Sequence, residues 1–189
     1  MELHPAVDHL APLLGTWRGG GRGDYPTIEP FEYTEEVTIG HVGKPFLAYG
    51  QRTKGADGAP LHAESGYLRP AGDRGLELLV VHPSGIAEVL VGEVTETHFG
   101  LVLMLRAGAR DATGGANGGT GGADGGPTGA DAANRAGPGG QVVLAPTAKQ
   151  VDATERRISV DGDTMRYEVH MAAVGEPMTP HLEATLHRA

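Results

Sequence analysis

The chain has 189 residues, 39% of them hydrophobic, with 15 Lys+Arg against 24 Asp+Glu and a formal net charge of -9. That suits one domain with its own core, and the acidic balance argues against a nucleic-acid partner. With no cysteine, disulfides, thiolate metal ligands, Cys nucleophiles and Cys-linked cofactors are excluded. The opening string MELHPAVDHLAPLLG lacks the charged and then continuously apolar regions of a signal peptide. No apolar run reaches a membrane span, so a cytoplasmic protein is expected.

In chain order, Val7, Leu10, Leu13 and Leu14 fall at helical spacing, and Pro12 and Gly15 limit this to a brief helical turn. From Trp17 the period becomes two. In Gly15-Thr16-Trp17-Arg18-Gly19-Gly20-Gly21, glycines at alternate strand positions clear one face for strong curvature or for a flat ligand. Trp17 shares that face, and the favoured reading is a barrel-closing corner with Trp17 plugging one end. Phe31, Tyr33, Val37 and Ile39 alternate with Glu32, Thr34, Glu36 and Thr38, as in a strand with one wet face. Further strands are expected at 46–51, 63–69, 76–81, 86–92, 98–106 and 151–160. Two more alternate cleanly, through Met165, Tyr167, Val169 and Met171 and through Leu182, Ala184 and Leu186.

Turn signals separate these runs, at Gly55-Ala56-Asp57-Gly58, Pro70-Ala71-Gly72-Asp73, His82-Pro83-Ser84-Gly85 and Asp161-Gly162-Asp163. About ten short strands with almost no helix predict an all-β fold, an antiparallel up-and-down barrel of the lipocalin or fatty-acid-binding-protein kind. A two-sheet sandwich is the competing architecture. Residues 108–140 contain no Val, Ile, Leu or aromatic side chain, so nothing there offsets the entropy of ordering the segment. They read as a disordered hairpin insertion within a single domain spanning 1–189.

Residues able to carry chemistry are few. Glu35 and Glu36 are adjacent and so face opposite sides of a strand, which excludes an acid/base pair on one substrate. Ser65 and Ser84 lack a G-x-S-x-G elbow. No histidine pair has the H-x-x-x-H spacing of a helical zinc site, and none is expected. His170 falls on a wet face, His41, His62 and His98 flank strands, and His4, His9 and His187 look terminal. His82 sits in a Pro-Ser-Gly turn, where it either stabilises the turn or approaches a ligand pocket. His181 follows Pro180 at the mouth of an apolar strand, and a neutral imidazole there suits iron. Strict alternation, however, sets it opposite Leu182, Ala184 and Leu186. Either His181 precedes the regular strand or those side chains face outward.

Taken together, Gly15-x-Trp17-x-Gly19-x-Gly21, Tyr25-Pro26-Thr27-Ile28, His41-Val42-Gly43-Lys44-Pro45-Phe46-Leu47, His62-x-Glu64-x-Gly66-Tyr67-Leu68-Arg69, Pro146-Thr147-Ala148-Lys149 and Pro180-His181-Leu182 resemble the nitrobindins, in order over nearly the whole chain. The Gly-rich stretch is the clear departure. The resemblance implies a barrel enclosing one non-covalent haem b, with His181 as the proximal iron ligand and Lys149 near the haem. It also implies conversion of peroxynitrite to nitrate at ferric haem, together with nitric oxide binding, and a homodimer is compatible with it. The alternatives are a carrier of a fatty-acid-like ligand without turnover, and a haem or nitric-oxide sensor.

Overall fold

The computed structural model describes residues 1–108 and 140–189. Within them the period-two pattern becomes eleven strands: β1 (Gly15–Tyr25), β2 (Ile28–His41), β3 (Leu47–Gly55), β4 (Pro60–Ala71), β5 (Gly75–His82), β6 (Ile86–Thr97), β7 (Gly100–Gly108), β8 (Gln141–Leu144), β9 (Val151–Asp161), β10 (Thr164–Ala173) and β11 (Glu176–Arg188). A 3-10 helix, Pro5–Leu13, precedes them and contains Pro12. Antiparallel pairing runs β1 to β7 in sequence, then β9, β10 and β11, and β11 pairs back onto β1. Ten strands therefore close a barrel, as the alternation predicts.

The eleventh strand is short and has its own logic. β7 pairs with β6 over Val91–Thr97, while β8 pairs with Ile86–Val89 of the same strand. Gly108 N–H donates to Gly140 C=O at 3.2 Å. β7 and β8 thus lie end to end on one line of the sheet, and the Gly-rich segment leaves and re-enters that line instead of joining a hairpin pair. Its expected disorder falls on residues 109–139, outside the described residues.

The strand ends define two unlike poles. At the first, the 3-10 helix lays Val7, Leu10 and Leu13 into the interior, where all three are buried with Trp17. The indole N–H donates to Leu13 C=O at 2.9 Å, and the Arg188 guanidinium stacks on the ring at 4.0 Å. Trp17 is 0% exposed, so this pole is plugged, as the sequence predicts. Burying side chains of this size contributes a few kcal/mol each, roughly 1.5–3. The plug also satisfies the one polar atom that the indole brings with it.

The glycines of β1 act on their neighbours. Gly21 faces Tyr33 across the ladder and Gly23 faces Phe31. A Cβ at either position would strike the partner's ring. Bare backbone therefore lets both rings lie down against β1, inside the barrel. Going inward from the plug, an apolar core is followed by a belt of buried polar side chains, and then by a cavity at the second pole. The turns after β1, β3, β5, β8 and β10 surround that mouth.

Candidate functional site

The cavity at the mouth has a volume of about 570 Å³. Phe31, Leu61, Ile86, Val151, Met171 and Leu182 form much of its wall, and His181 and Lys149 line it together. The two residues singled out by the sequence are thus brought to one site although they sit on β11 and the β8–β9 loop. That loop is tied down by Ala145 N–H donating to Gly85 C=O at 2.8 Å. Gly15, Trp17 and Gly19 lie away from the cavity, on the strand that runs from the plugged pole; Gly21 acts on it through the Tyr33 ring.

His181 reaches the cavity by a bulge. Leu182 pairs with Val169 and Pro180 with His170, so His181 is an extra residue on β11 with no partner opposite. Inserting one residue breaks the alternation and re-aims a side chain, and Pro180, lacking an N–H, suits the interrupted ladder. Of the two readings of the alternation, the one with the leucines inward and His181 outside the regular stretch comes nearer, but the irregularity is a bulge within β11 and not the start of the strand. With the bulge, His181 and Leu182 line the cavity together while Ala184 and Leu186 stay buried below.

The His181 ring is oriented on two sides. Nδ1 lies 3.1 Å from Asp24 C=O. A carbonyl only accepts, so Nδ1 carries the proton and Nε2 presents its lone pair. The Tyr25 ring packs edge-on at 5.3 Å. Tyr25 is itself fixed, its hydroxyl accepting from Ala173 N–H at 2.9 Å. Burial lowers the His181 pKa from 6.5, partly opposed by the bond to Asp24. The imidazole therefore stays neutral, in the form that ligates metal.

The floor of the cavity is ionic. Arg156 donates to both oxygens of Glu64, at 2.7 and 3.1 Å, and approaches Glu88 Oε1 at 3.4 Å. Thr154 donates to Glu88 at 2.9 Å and Tyr49 to Glu64 at 3.0 Å. Burial alone would raise both carboxyl pKa values, but the Arg156 guanidinium, together with His62 and His82 at Glu64 and with His82 at Glu88, outweighs it and holds both carboxyls below the usual range. Beside them, Tyr167 donates to Glu35 Oε2 at 2.7 Å and contacts Tyr33 Oη at 2.8 Å, with the Gln51 amide on Glu35 Oε1. Glu35 has no cation in contact, and burial pushes its pKa up to about 7, against the hydrogen bonds from Tyr167 and Gln51. Glu36, on the other face, pairs with Arg18 at 2.7 Å, as adjacency in a strand requires.

Two histidines complete the inner surface. His62 lies within β4, and the His82 ring, at the end of β5, is 7% exposed. His62 Nε2 stands 3.0 Å from His82 Nδ1. His82 therefore faces the cavity and does more than hold a turn.

The sequence reading missed Glu35, Glu64, Glu88, Arg156 and His62. A signal for them existed. Glu64 and His62 share parity with buried Leu68 on β4, Glu88 with Leu90 on β6, and Arg156 with Val160 on β9. Strict alternation places all of them inward, whereas charge suggests outward.

The chain matches the THAP4-like, heme-binding beta-barrel domain family over residues 6–123 and 128–188. It belongs to that family. Among relatives of this heme-binding barrel are peroxynitrite isomerase 2 of Mycobacterium avium (strain 104) and peroxynitrite isomerase 1 of Mycobacterium tuberculosis (strain ATCC 25618 / H37Rv). Each is 46% identical over 188 residues, covering 99% of this chain and 97% of the relative. The crystal structure of Rv2717c from M. tuberculosis superposes with a TM-score of 0.80 at 44% identity, covering 100% of this chain and 99% of that one. The S-type phycobiliprotein lyase CPES from Guillardia theta superposes at 0.53 with 12% identity, over 96% of this chain and 91% of the other. That likeness concerns the fold alone.

Proposed function

We propose that the chain binds one haem b through His181 and isomerises peroxynitrite to nitrate. The observation that carries this reading is His181 itself: a neutral imidazole, held by Asp24 so that Nε2 presents its lone pair, on the apolar wall of the cavity. The family description and the names of the relatives support the choice of haem and of substrate.

The residues present fit a haem. The apolar wall suits a flat macrocycle, the Asp24–His181 bond fixes the tautomer needed for an axial ligand, and Lys149 offers a cation to a propionate. Bound ferric haem would supply a Lewis-acidic iron for an anionic oxidant, and the same site suits nitric oxide. The chain's own share is separable from that chemistry. His181 donates a lone pair, Phe31, Leu61 and Met171 keep water from the cavity wall, and Arg156 keeps the ionised floor paired. The reading includes a cytoplasmic location; no helix among the described residues is long and apolar enough to cross a membrane.

The first test is an absorption spectrum. The wild-type protein should show a Soret band, and His181→Ala should lose it while keeping a cooperative melt. An unchanged band in His181→Ala would remove His181 from its role, and no band after haem addition would leave a carrier of apolar ligands. Stopped-flow mixing with peroxynitrite, followed by nitrate analysis, then tests turnover. Haem-loaded protein should accelerate decay well beyond the haem-free protein, which has no Cys to react. Equal rates would reduce the protein to a haem-binding barrel without this activity.

A further inference from the structure

We infer that His62, Glu64 and His82 form a second, non-haem site for a divalent transition-metal cation, opening onto the same cavity. The three side chains come from β4 and β5, which are ladder neighbours. His62 and Glu64 are two apart and so share the inward face, and His82 ends the adjacent strand.

Their donor atoms have the spacing of one face of a coordination sphere. His62 Nε2 to His82 Nδ1 is 3.0 Å, and Glu64 Oε1 is 3.7 Å from the first and 3.6 Å from the second. Ligands bound at about 2.1 Å stand roughly 3.0 Å apart at right angles and roughly 3.4 Å apart at tetrahedral angles. The observed triangle fits that range with only small side-chain shifts. Two imidazoles and one carboxylate on one face are a recurrent donor set for first-row divalent metals, and the remaining positions stay open to ligand.

A second observation points the same way. His82 Nε2 is buried without a hydrogen bond of good geometry, although Glu88 Oε1 lies 3.1 Å away. With a metal on Nδ1, the ring is fixed as the Nε2–H tautomer, and a modest ring rotation directs that proton to Glu88. This is the carboxylate–histidine–metal arrangement that orients ligating histidines elsewhere. Glu88 is already anchored by Thr154 and Arg156. Charge also agrees. Glu64 and Glu88 against Arg156 leave one negative charge in the cluster, and the two histidine nitrogens face each other across 3.0 Å, where a cation can replace the single proton that neutral rings share. The Arg156 contacts do not block the site, because a carboxylate oxygen has lone pairs for both a guanidinium and a metal.

The inference is independent of haem, and its test reads differently. After treatment with a chelator, the haem-loaded protein is titrated with Zn²⁺ by calorimetry, and the Soret band is recorded separately. One Zn²⁺ should bind per chain. His62→Ala should weaken binding by about tenfold or more, and because His62 is half-buried at the cavity surface this variant should keep its melting curve. His82→Ala should weaken binding as well, with some loss of stability because its ring is 7% exposed. His170→Ala, a histidine outside the cluster, should bind as wild type. No binding heat, or equal affinity in wild type and His62→Ala, overturns the site and leaves the His62–His82 contact a simple hydrogen bond. A lost Soret band with normal Zn²⁺ binding would instead count against the haem reading alone.

Discussion

Glu35 offers a quantitative check on the buried polar belt. It is 5% exposed, has no cation in contact, and its pKa is raised from 4.5 to about 7 by burial. In the unfolded chain it titrates at its ordinary value. The folded protein therefore holds a proton on Glu35 that the unfolded chain releases between these two values. Its stabilising contribution is complete below pH 4.5 and is lost as the pH rises through about 7. At about 1.36 kcal/mol per pH unit, the full difference amounts to about 3 kcal/mol.

Glu35→Gln removes the titration while keeping the size of the side chain and an amide oxygen able to accept from Tyr167. Gln51 can turn its own amide to match. Urea unfolding of wild type and variant from pH 5 to pH 9 should then show a gap that widens with pH. The variant gains on wild type by about 3 kcal/mol and levels off above pH 8. Comparing the two proteins at each pH cancels the other titrating groups. A gap that stays constant across the range would mean that Glu35 is ionised in the folded state, and the account of the belt would be wrong.

Two further outcomes test other parts of the structure. Arg156→Met leaves Glu64 and Glu88 buried without their cation, so stability at neutral pH should fall by about 3–5 kcal/mol. Part of the loss should return at pH 4–5 as the carboxylates take up protons, and a loss under about 1 kcal/mol would show the belt to be wetter than the contacts imply. Replacing residues 109–139 by a short Gly-Ser turn should preserve both cooperative unfolding and the Soret band. Gly108 and Gly140 already share a 3.2 Å hydrogen bond, and closure entropy changes slowly with length. A broadened melt would show that the removed segment contributes to the fold.

Most of the barrel was legible because strand alternation is a local property. Val37 and Ile39, or Met165 and Val169, announce an inward face whatever surrounds them, and closure then follows from strand number and turn spacing. β8 escaped because Gln141-Val142-Val143-Leu144 is too short for a period and lies next to a Gly-rich stretch. What makes it a strand is the vacant place along β6 beside the end of β7, which is a property of the assembled sheet. The turn at His98 is similar: β6 runs on to Thr97 and β7 starts at Gly100, so the expected strand start at 98 gives way to a tight reversal.

The site was legible only in part, and the reason is the same at both of its ends. At His181 the sequence pattern was sound but the strand was not regular, since a single bulged residue reverses the face of everything before it. At the floor the strands were regular but the pattern was discounted, because charged side chains at inward parity look like errors in an alternation. They are tolerated inside this barrel because they arrive as a set. Arg156 on β9 meets Glu64 on β4 and Glu88 on β6, while Tyr49 from β3, the ladder neighbour of β4, and Thr154 from β9 itself donate to the remaining lone pairs. Any one of these residues alone would carry the cost of an unpaired buried charge, which exceeds what one strand can offset. Inward charges at matching depth on several strands of a predicted closed barrel therefore point to a buried network at that level. In this chain the network marks where the packed core ends and the cavity begins.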